Sequence, residues 1–516
     1  MGYIDENGLA VIASSFAKKT TGTSSTAGLT KLYTGTGNNT DGTMTQQAIT
    51  AAVANAGVSA TIKVSNVSNI GISSSDTTVS LTWTDPNDVE LNGTPLAIWG
   101  GTLIVRKVGS APENIGDGTV VVNSTTRNAY STTAFTDTVP ALDVKYYYRF
   151  FPYNSFGAYT DGTSVDITPM SVRIYGVEWD GTSTTSWSRT DASANFTDPN
   201  PAVNNGTGTS PFDNCSPWKD MKIVDNSSAG KVVEIPKFWY KWTRSGATMK
   251  LQIADAVVSG FYVSPAHADR GDGQGERDVI YVGRYHCSSN YKSVAGGQPK
   301  ASETRASFRS NIHNLGSTVW QWDFATLWTI QMLYLVEFAN WNSQNAIGYG
   351  CSPSGSLFNM GATDSMQYHT GTTASNRTTY GSCQYRYIED LWGNVYDWCD
   401  GIYFSGSDVY CIKNPSNFSD SSNGTLVGSR ATSSNYISGY TTPTASGFEY
   451  TLYPNSVSGS NSTYICDYCY YGSSGVVLLV GGYYSQNLGR GLFCLDGSYS
   501  ASNSYGSIGS RLLVLP

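Results

Sequence analysis

The chain has 516 residues and a net charge of −8; 14% of it is charged and 13% aromatic, with 35 Tyr and 54 Gly. That length suits about three domains at roughly 150 residues each, and so few charges among so many aromatics exclude a disordered chain. The absence of a basic run argues against nucleic acid and anionic membranes as partners, and no apolar stretch reaches the roughly 18 residues of a membrane helix, so no membrane insertion is expected.

Residues 1–58 are rich in Thr, Gly, Ser and Ala. The opening MGYIDENGLAVIASSFAKKT lacks the basic-then-apolar layout of a signal peptide, so synthesis in a cytoplasm without the usual secretory route is expected. One helix is expected from about Thr45 to Asn55, with Thr43 or Thr45 as N-cap and Gly57 as stop. Such a segment builds no large core and reads as a linker or assembly segment. The run LTKLYTGTGNNTDGTMTQQAIT resembles phage tail-fibre sequences. That short resemblance implies attachment to phage tail or baseplate proteins through residues 1–58.

Residues 59–168 change character. Val79, Leu81 and Trp83 alternate with polar residues, which predicts a strand with one buried face, ended at Asp85-Pro86-Asn87-Asp88. GTLIVRKVG and the aromatic KYYYRFFPY are further strands, and their spacing predicts an all-β sandwich. Leu142, Tyr146, Arg149, Phe150, Asn154 and Gly157 resemble the late strand of a fibronectin type III domain, with Trp83 where that family has its early core Trp. The resemblance implies a fibronectin type III/Ig-like spacer.

Residues 169–516 form the third region. VVEIPKFWYKWTRSG reads as a strand with a turn. Phe324, Leu327, Trp328, Met332, Leu335, Phe338 and Ala339 recur at helical spacing, so a helix is predicted near Asp323 to Trp341. Beyond it the sequence is Gly-, Ser-, Asn- and Tyr-rich with short apolar pieces, the pattern of long loops on a scaffold. In the block Glu389 to Trp398, Trp392 and Trp398 are suited to plugging a core, Gly393 to a tight turn, and Asn394 to bonding its own backbone there.

That block, with FYVSPAH, RDVIYVGRY, SETRASFR and VVLLVGGYYSQNLGRGLF in order, resembles the formylglycine-generating-enzyme branch of the C-type lectin fold. It resembles above all the variable proteins of diversity-generating retroelements, including phage tropism determinants. The resemblance implies an α+β C-type-lectin-like domain whose variable region spans about 467–511. Val476 to Val480 and Leu492-Phe493 read as buried strands within it. The positions it implies as varied and ligand-binding are Tyr468, Tyr470, Tyr471, Tyr483, Tyr484, Ser485, Asn487, Leu488, Arg490, Cys494, Asp496, Tyr499, Ser504 and Tyr505. Exposed Tyr beside Arg490 would make a binding patch, since Tyr and Arg dominate interface hot spots. The implied role is a receptor-binding protein of a phage virion, a homotrimer recognising a host-cell surface protein or glycan. The alternatives are a diversified bacterial cell-surface adhesin and, behind it, a formylglycine-generating-type oxidase.

The same branch includes a thiol oxidase with a reactive Cys pair shortly after its GG turn. Here YYSQNLGRG follows Gly481-Gly482, Cys466 and Cys469 precede the strand, and Cys494 stands alone. No catalytic residue is therefore carried over and no enzyme is expected. The nine Cys are odd in number and scattered, which argues for free thiols rather than a disulfide framework. None of His267, His286, His313 and His369 sits at a zinc spacing. Gln298-Pro299-Lys300 and Trp341-Asn342-Ser343 lack the acid of calcium-dependent lectin motifs, so neither metal nor cofactor is expected. The Asp-rich loop 268–278 is compatible with a structural cation.

Overall fold

The computed structural model describes residues 31–33, 42–44, 60–91, 94–203, 207–366, 370–372, 381–421, 423–474 and 476–516. The helix expected over 45–55 and His369 lie outside the described residues. The described chain is mostly β-sheet with few helices. It divides into two units, Met1–Val172 and Arg173–Pro516, a few residues after the boundary expected at 168/169.

In the first unit, alternation sets the burial. Strand Thr78–Thr84 buries Val79, Leu81 and Trp83 and leaves the residues between them half-exposed. It pairs antiparallel with Ser68–Ser75 and Phe135–Thr138. A second antiparallel sheet runs in the order Thr163–Ile167, Tyr146–Asn154, Trp99–Val108, Thr119–Ser124. Ile104, Tyr146, Tyr148 and Phe150 of that sheet share one core with Val79, Leu81 and Trp83 of the first, which is sandwich layering. Asp85, the expected strand breaker, also ties the layers. Its carboxylate accepts from Trp83 Nε1 at 2.9 Å, Thr102 Oγ1 at 2.6 Å and the Asn128 amide at 2.7 Å.

Among its described residues the second unit has three α-helices: α1 (Arg305–His313), α2 (Phe324–Phe338) and the single turn α3 (Ser343–Ala346). Every residue of α2 is buried, the polar Thr326, Thr329, Gln331 and Glu337 included. Asp323 caps it by accepting from the Thr326 amide, and Ala339 ends it in the left-handed region at φ 49°. The last strand, Leu512–Val514, lies between Val279–Gly283 and Val319–Gln321 in a five-stranded sheet.

A seven-stranded sheet carries the C-terminal region. Its order is Pro454–Val457, Asn435–Tyr440, Tyr468–Tyr471, Leu495–Gly497, Leu478–Val480, Tyr396–Cys399, Ile508–Ser510. Leu478–Val480 is a buried strand, as expected. Leu492 and Phe493 are buried in a turn instead, and the strand begins at Leu495. Apolar content predicted their burial but not their backbone form.

Trp392 and Trp398 are both core plugs, 1% and 0% exposed, each with its indole N–H satisfied, by Gly348 O and Glu303 O. Gly393 sits at φ 82°, and a Cβ there would lie 2.7 Å from the Cys351 amide nitrogen, so only glycine fits. Asn394 departs from expectation: it bonds not its own backbone but Phe358, through Oδ1 and Nδ2, and Asp390 Oδ2. It thereby pins the 352–358 loop to this block.

Candidate functional site

Arg490 is the centre of the site. Its guanidinium lies 4.3 Å from the ring centroid of Tyr468, 5.2 Å from Tyr470 and 5.8 Å from Tyr436. Nη2 and Nε donate to the Tyr470 hydroxyl at 2.8 and 3.1 Å, and Nη1 donates to the Leu488 and Gly489 carbonyls. Each such cation–ring contact stabilises by about 0.5–2 kcal/mol, depending on desolvation. Burial works against the charge of Arg490, but Cys494 and Tyr470 beside it hold its pKa above the ordinary value. The cation is thus permanent, and among the described residues no carboxylate forms a salt bridge with it.

Tyr468 and Tyr470 meet this arginine because they are two apart on one strand and share a face, with ring centroids 4.6 Å apart. Gln486 extends the group. Its Nε2 donates to the hydroxyls of Tyr396 at 2.8 Å and Tyr470 at 3.3 Å, and its Oε1 accepts from the Tyr483 amide. Tyr483 packs 5.4 Å from Tyr396 on one side and 5.4 Å from Tyr484 on the other. Tyr499 and Tyr505 pack at 5.9 Å. Burial, with the nearby Asp496 carboxylate second, pushes the Tyr499 hydroxyl up to about 12. Ser485, Asn487 and Ser504 are exposed around this group, and Leu488 is half-buried.

Three expected positions fall elsewhere. Tyr471 points to the other face of its strand and lies 4.8 Å from Arg430, which also covers Phe404. Cys494 and Asp496 are 0% and 4% exposed, so neither presents a side chain to a partner. Asp496 is the register partner of Tyr470 on an inner strand, and it accepts from the Ser498 amide and hydroxyl beneath the patch. Burial raises its pKa. The tyrosines themselves are mostly half-buried rather than fully exposed; Tyr505, at 53%, is the exception. Stacking on one another and on Arg490 removes part of each ring from water.

What holds the loop beneath Arg490 was not legible in the sequence. The consecutive amides of residues 489–493 all donate to side chains or to one carboxylate. Gln344 Oε1 accepts from Gly489 at 2.7 Å and Arg490 at 3.1 Å. Ser343 Oγ accepts from Leu492 at 2.9 Å. Asp467 accepts from Gly491 at 2.8 Å and Phe493 at 2.9 Å. Burial pushes the Asp467 carboxyl up to about 6 despite those bonds. Upstream, the backbone of 484–486 is tied to Asn394 O, the Gly355 amide and Ser352 O. Gly489, at φ 80°, packs so closely that a Cβ would lie 2.4 Å from Tyr436 Cε1. The side chains that accept from these five amides, Ser343, Gln344 and Asp467, are none of them among the expected varied positions; of those positions, Arg490 also bonds the loop through its side chain, to the Leu488 and Gly489 carbonyls.

Sequence reasoning also missed Tyr436, Tyr396 and Gln486. Tyr436 reaches the site only through its register with Tyr468, a pairing no local signal specifies. Gln486 was visible within YYSQNLGRG, and its place between two Tyr runs was the available hint.

The thiols and the described histidines are occupied structurally. All nine Cys are free and buried, and burial raises each thiol, Cys469 to about 12 and Cys466 well above its ordinary value. A reactive thiolate needs the opposite environment. His267 bonds Ser264 Oγ and Ile235 O, and burial lowers it to about 4. His286 pairs with Asp397, and His313 stacks on Trp320 at 4.0 Å. Glu389 and Asp390 are both 1% exposed, and burial together with Glu389 raises Asp390. Among the described residues no helix is long and apolar enough to cross a membrane, and no three potential ligand residues gather as a metal site. No protein-family model and no curated protein matches this sequence.

Proposed function

We propose that this chain is a receptor-binding protein of a bacteriophage tail, of the variable-protein type diversified by retroelements. In this reading Arg173–Pro516 is a C-type-lectin-like domain of the formylglycine-generating-enzyme branch, and the ordered sequence blocks ending in Glu389 to Trp398 support that assignment. The first unit is a fibronectin type III/Ig-like spacer. Tyr146 supports it: its hydroxyl donates to Ala141 O and accepts from the Ala141 amide, the backbone-directed tyrosine corner of such sandwiches. Residues 1–58 attach the protein to tail or baseplate proteins. The protein acts by recognition and not by catalysis, as a homotrimer carried in many copies on the virion. Modest single-site affinities are then multiplied by roughly 10²–10⁴ where geometry lets several sites engage.

One observation carries the reading. Arg490, on which Tyr468, Tyr470 and Tyr436 converge, is borne on the loop 489–493, whose amides are satisfied by Ser343, Gln344 and Asp467, outside the varied set. Side chains on such a loop are exchangeable without loss of backbone form, which a diversified recognition surface requires. Tyr supplies large, rigid, amphipathic contact area, and Ser and Asn supply adaptable hydrogen bonds. The ligand is a host-cell surface protein or glycan.

The test is competition. The full-length chain, added in excess, should block adsorption of the phage whose genome encodes it, and chains carrying Arg490→Gln or Tyr470→Ser should block it poorly. No competition by the wild-type chain contradicts the reading. Diversification has its own check in flanking DNA: a near-copy of the segment encoding 467–511, differing mainly at adenines and beside a reverse transcriptase gene. Absence of such a copy from the complete genome removes the retroelement part.

A further inference from the structure

A cavity of about 170 Å³ opens in the second unit, formed by residues far in sequence from the tyrosine patch. Its walls include Tyr240 and Tyr262, which face each other across the pairing of Trp239–Ser245 with the edge strand Tyr262–Val263. Their ring centroids are 6.0 Å apart, and Tyr262 is 48% exposed. Tyr450 adds a third aromatic wall.

The polar lining is mixed. Arg270 is 2% exposed; it donates through Nε to Lys413 O at 2.7 Å and pairs through Nη2 with Asp323. Its Nη1 is buried with no hydrogen-bond acceptor. Lys413 also lines the cavity, with Nζ 4.8 Å from the Phe448 ring, and among the described residues it forms no salt bridge. Burial lowers its pKa. On the acceptor side, Glu449, Glu276 and Asp269 face the same space.

Size and chemistry together select a ligand class. Drug-sized ligands need roughly 300 Å³ or more, whereas a cavity of roughly 150 Å³ is known to hold one benzene ring. One six-membered ring therefore fits here. An apolar ring would desolvate Lys413 and the carboxylates of the lining without giving them a partner. A plain anion would meet three carboxylates, and a plain cation would meet Arg270 and Lys413. A ring bearing several hydroxyls offers an acceptor to Lys413 and donors to the carboxylates, while its C–H faces pack against tyrosine.

We propose that this cavity is a carbohydrate subsite that takes a single pyranose ring, separate from the surface around Arg490. The half-exposed Tyr262 stacks on one face of the sugar. Lys413 and Glu449 bracket the ring's hydroxyls.

Saturation-transfer NMR on the full-length chain tests this, with glucose, galactose, mannose and N-acetylglucosamine as separate probes and glycine as the zwitterionic control. At least one hexose should receive transfer. Tyr262→Ala, a change at an exposed edge position, should weaken that hexose roughly tenfold or more, about 1.4 kcal/mol. Lys413→Met should weaken it in the same direction, and Tyr483→Ala in the tyrosine patch should leave it unchanged. Transfer to none of the four sugars overturns the proposal, as does transfer that survives both cavity variants intact, or transfer to glycine alone.

Discussion

Gln344→Ala isolates the scaffold beneath Arg490 from the side chains displayed on it. Gln344 is 3% exposed, and its Oε1 is the acceptor for the amides of Gly489 and Arg490. Its Nε2 also donates to Tyr349 O at 3.0 Å. Truncation leaves two amide donors without a partner at a buried or half-buried position, each costing about 1–3 kcal/mol. Some water entry offsets part of this, so a net loss of roughly 2–4 kcal/mol is expected. At a factor of ten per 1.4 kcal/mol, amide-exchange protection over 489–493 should fall by roughly 30- to 700-fold. Asn487→Tyr, at an exposed position of the same loop, should leave that protection unaltered. Hydrogen exchange read by mass spectrometry over peptides covering 489–493 measures both variants. Unchanged protection in Gln344→Ala, or an equal loss in Asn487→Tyr, refutes the reasoning, because the loop would then be held by its own displayed side chains.

Gly489→Ala forces a left-handed φ on a residue with a Cβ and drives that atom into Tyr436, so a loss of about 1–3 kcal/mol is expected in urea unfolding; wild-type stability would contradict the packing. Asp467 gives a pH signature. Its folded pKa, about 6, lies above an unfolded value near 3.9, so between about pH 4 and 6 the folded chain keeps a proton that the unfolded chain releases. Stability from this group therefore falls as pH rises through that window, by up to about 3 kcal/mol. Urea unfolding of wild type and Asp467→Asn across pH 4 to 7 reads it as a difference in slope; parallel curves would contradict it. The nine buried thiols should resist an aromatic disulfide reagent at neutral pH until the chain is unfolded. Rapid stoichiometric labelling of Cys466 or Cys469 in the native chain would reopen an oxidase reading.

Elements with a strong local pattern were legible from the sequence. The apolar spacing from Phe324 to Phe338 wrote α2, and the alternation of Val79, Leu81 and Trp83 wrote a half-buried strand. The core role of Trp392 and Trp398 followed from their size and setting. Features set by long-range pairing were not legible. The insertion of Leu512–Val514 between strands near 280 and 320, and the register that brings Tyr436 to Tyr468, depend on contacts that no window of sequence contains. Cys494 and Asp496 were displayed positions only by what the family resemblance implies; Asp496 lies on a strand inside a sheet with neighbours on both sides, and Cys494, just before that strand, is fully buried. Ser343 and Gln344, in the one-turn helix α3, resembled ordinary polar surface until the amides of 489–493 were seen to end on them.

A protease-resistance screen on two libraries tests the division between displayed and supporting residues most directly. One library randomises Tyr468, Tyr470, Tyr483, Tyr484, Ser485, Asn487, Arg490, Tyr499, Ser504 and Tyr505; the other randomises Ser343, Gln344, Asp467, Gly489 and Trp398. Most members of the first should remain folded, and few of the second should. Equal intolerance in the two libraries would contradict a recognition surface whose side chains can be exchanged on a fixed backbone.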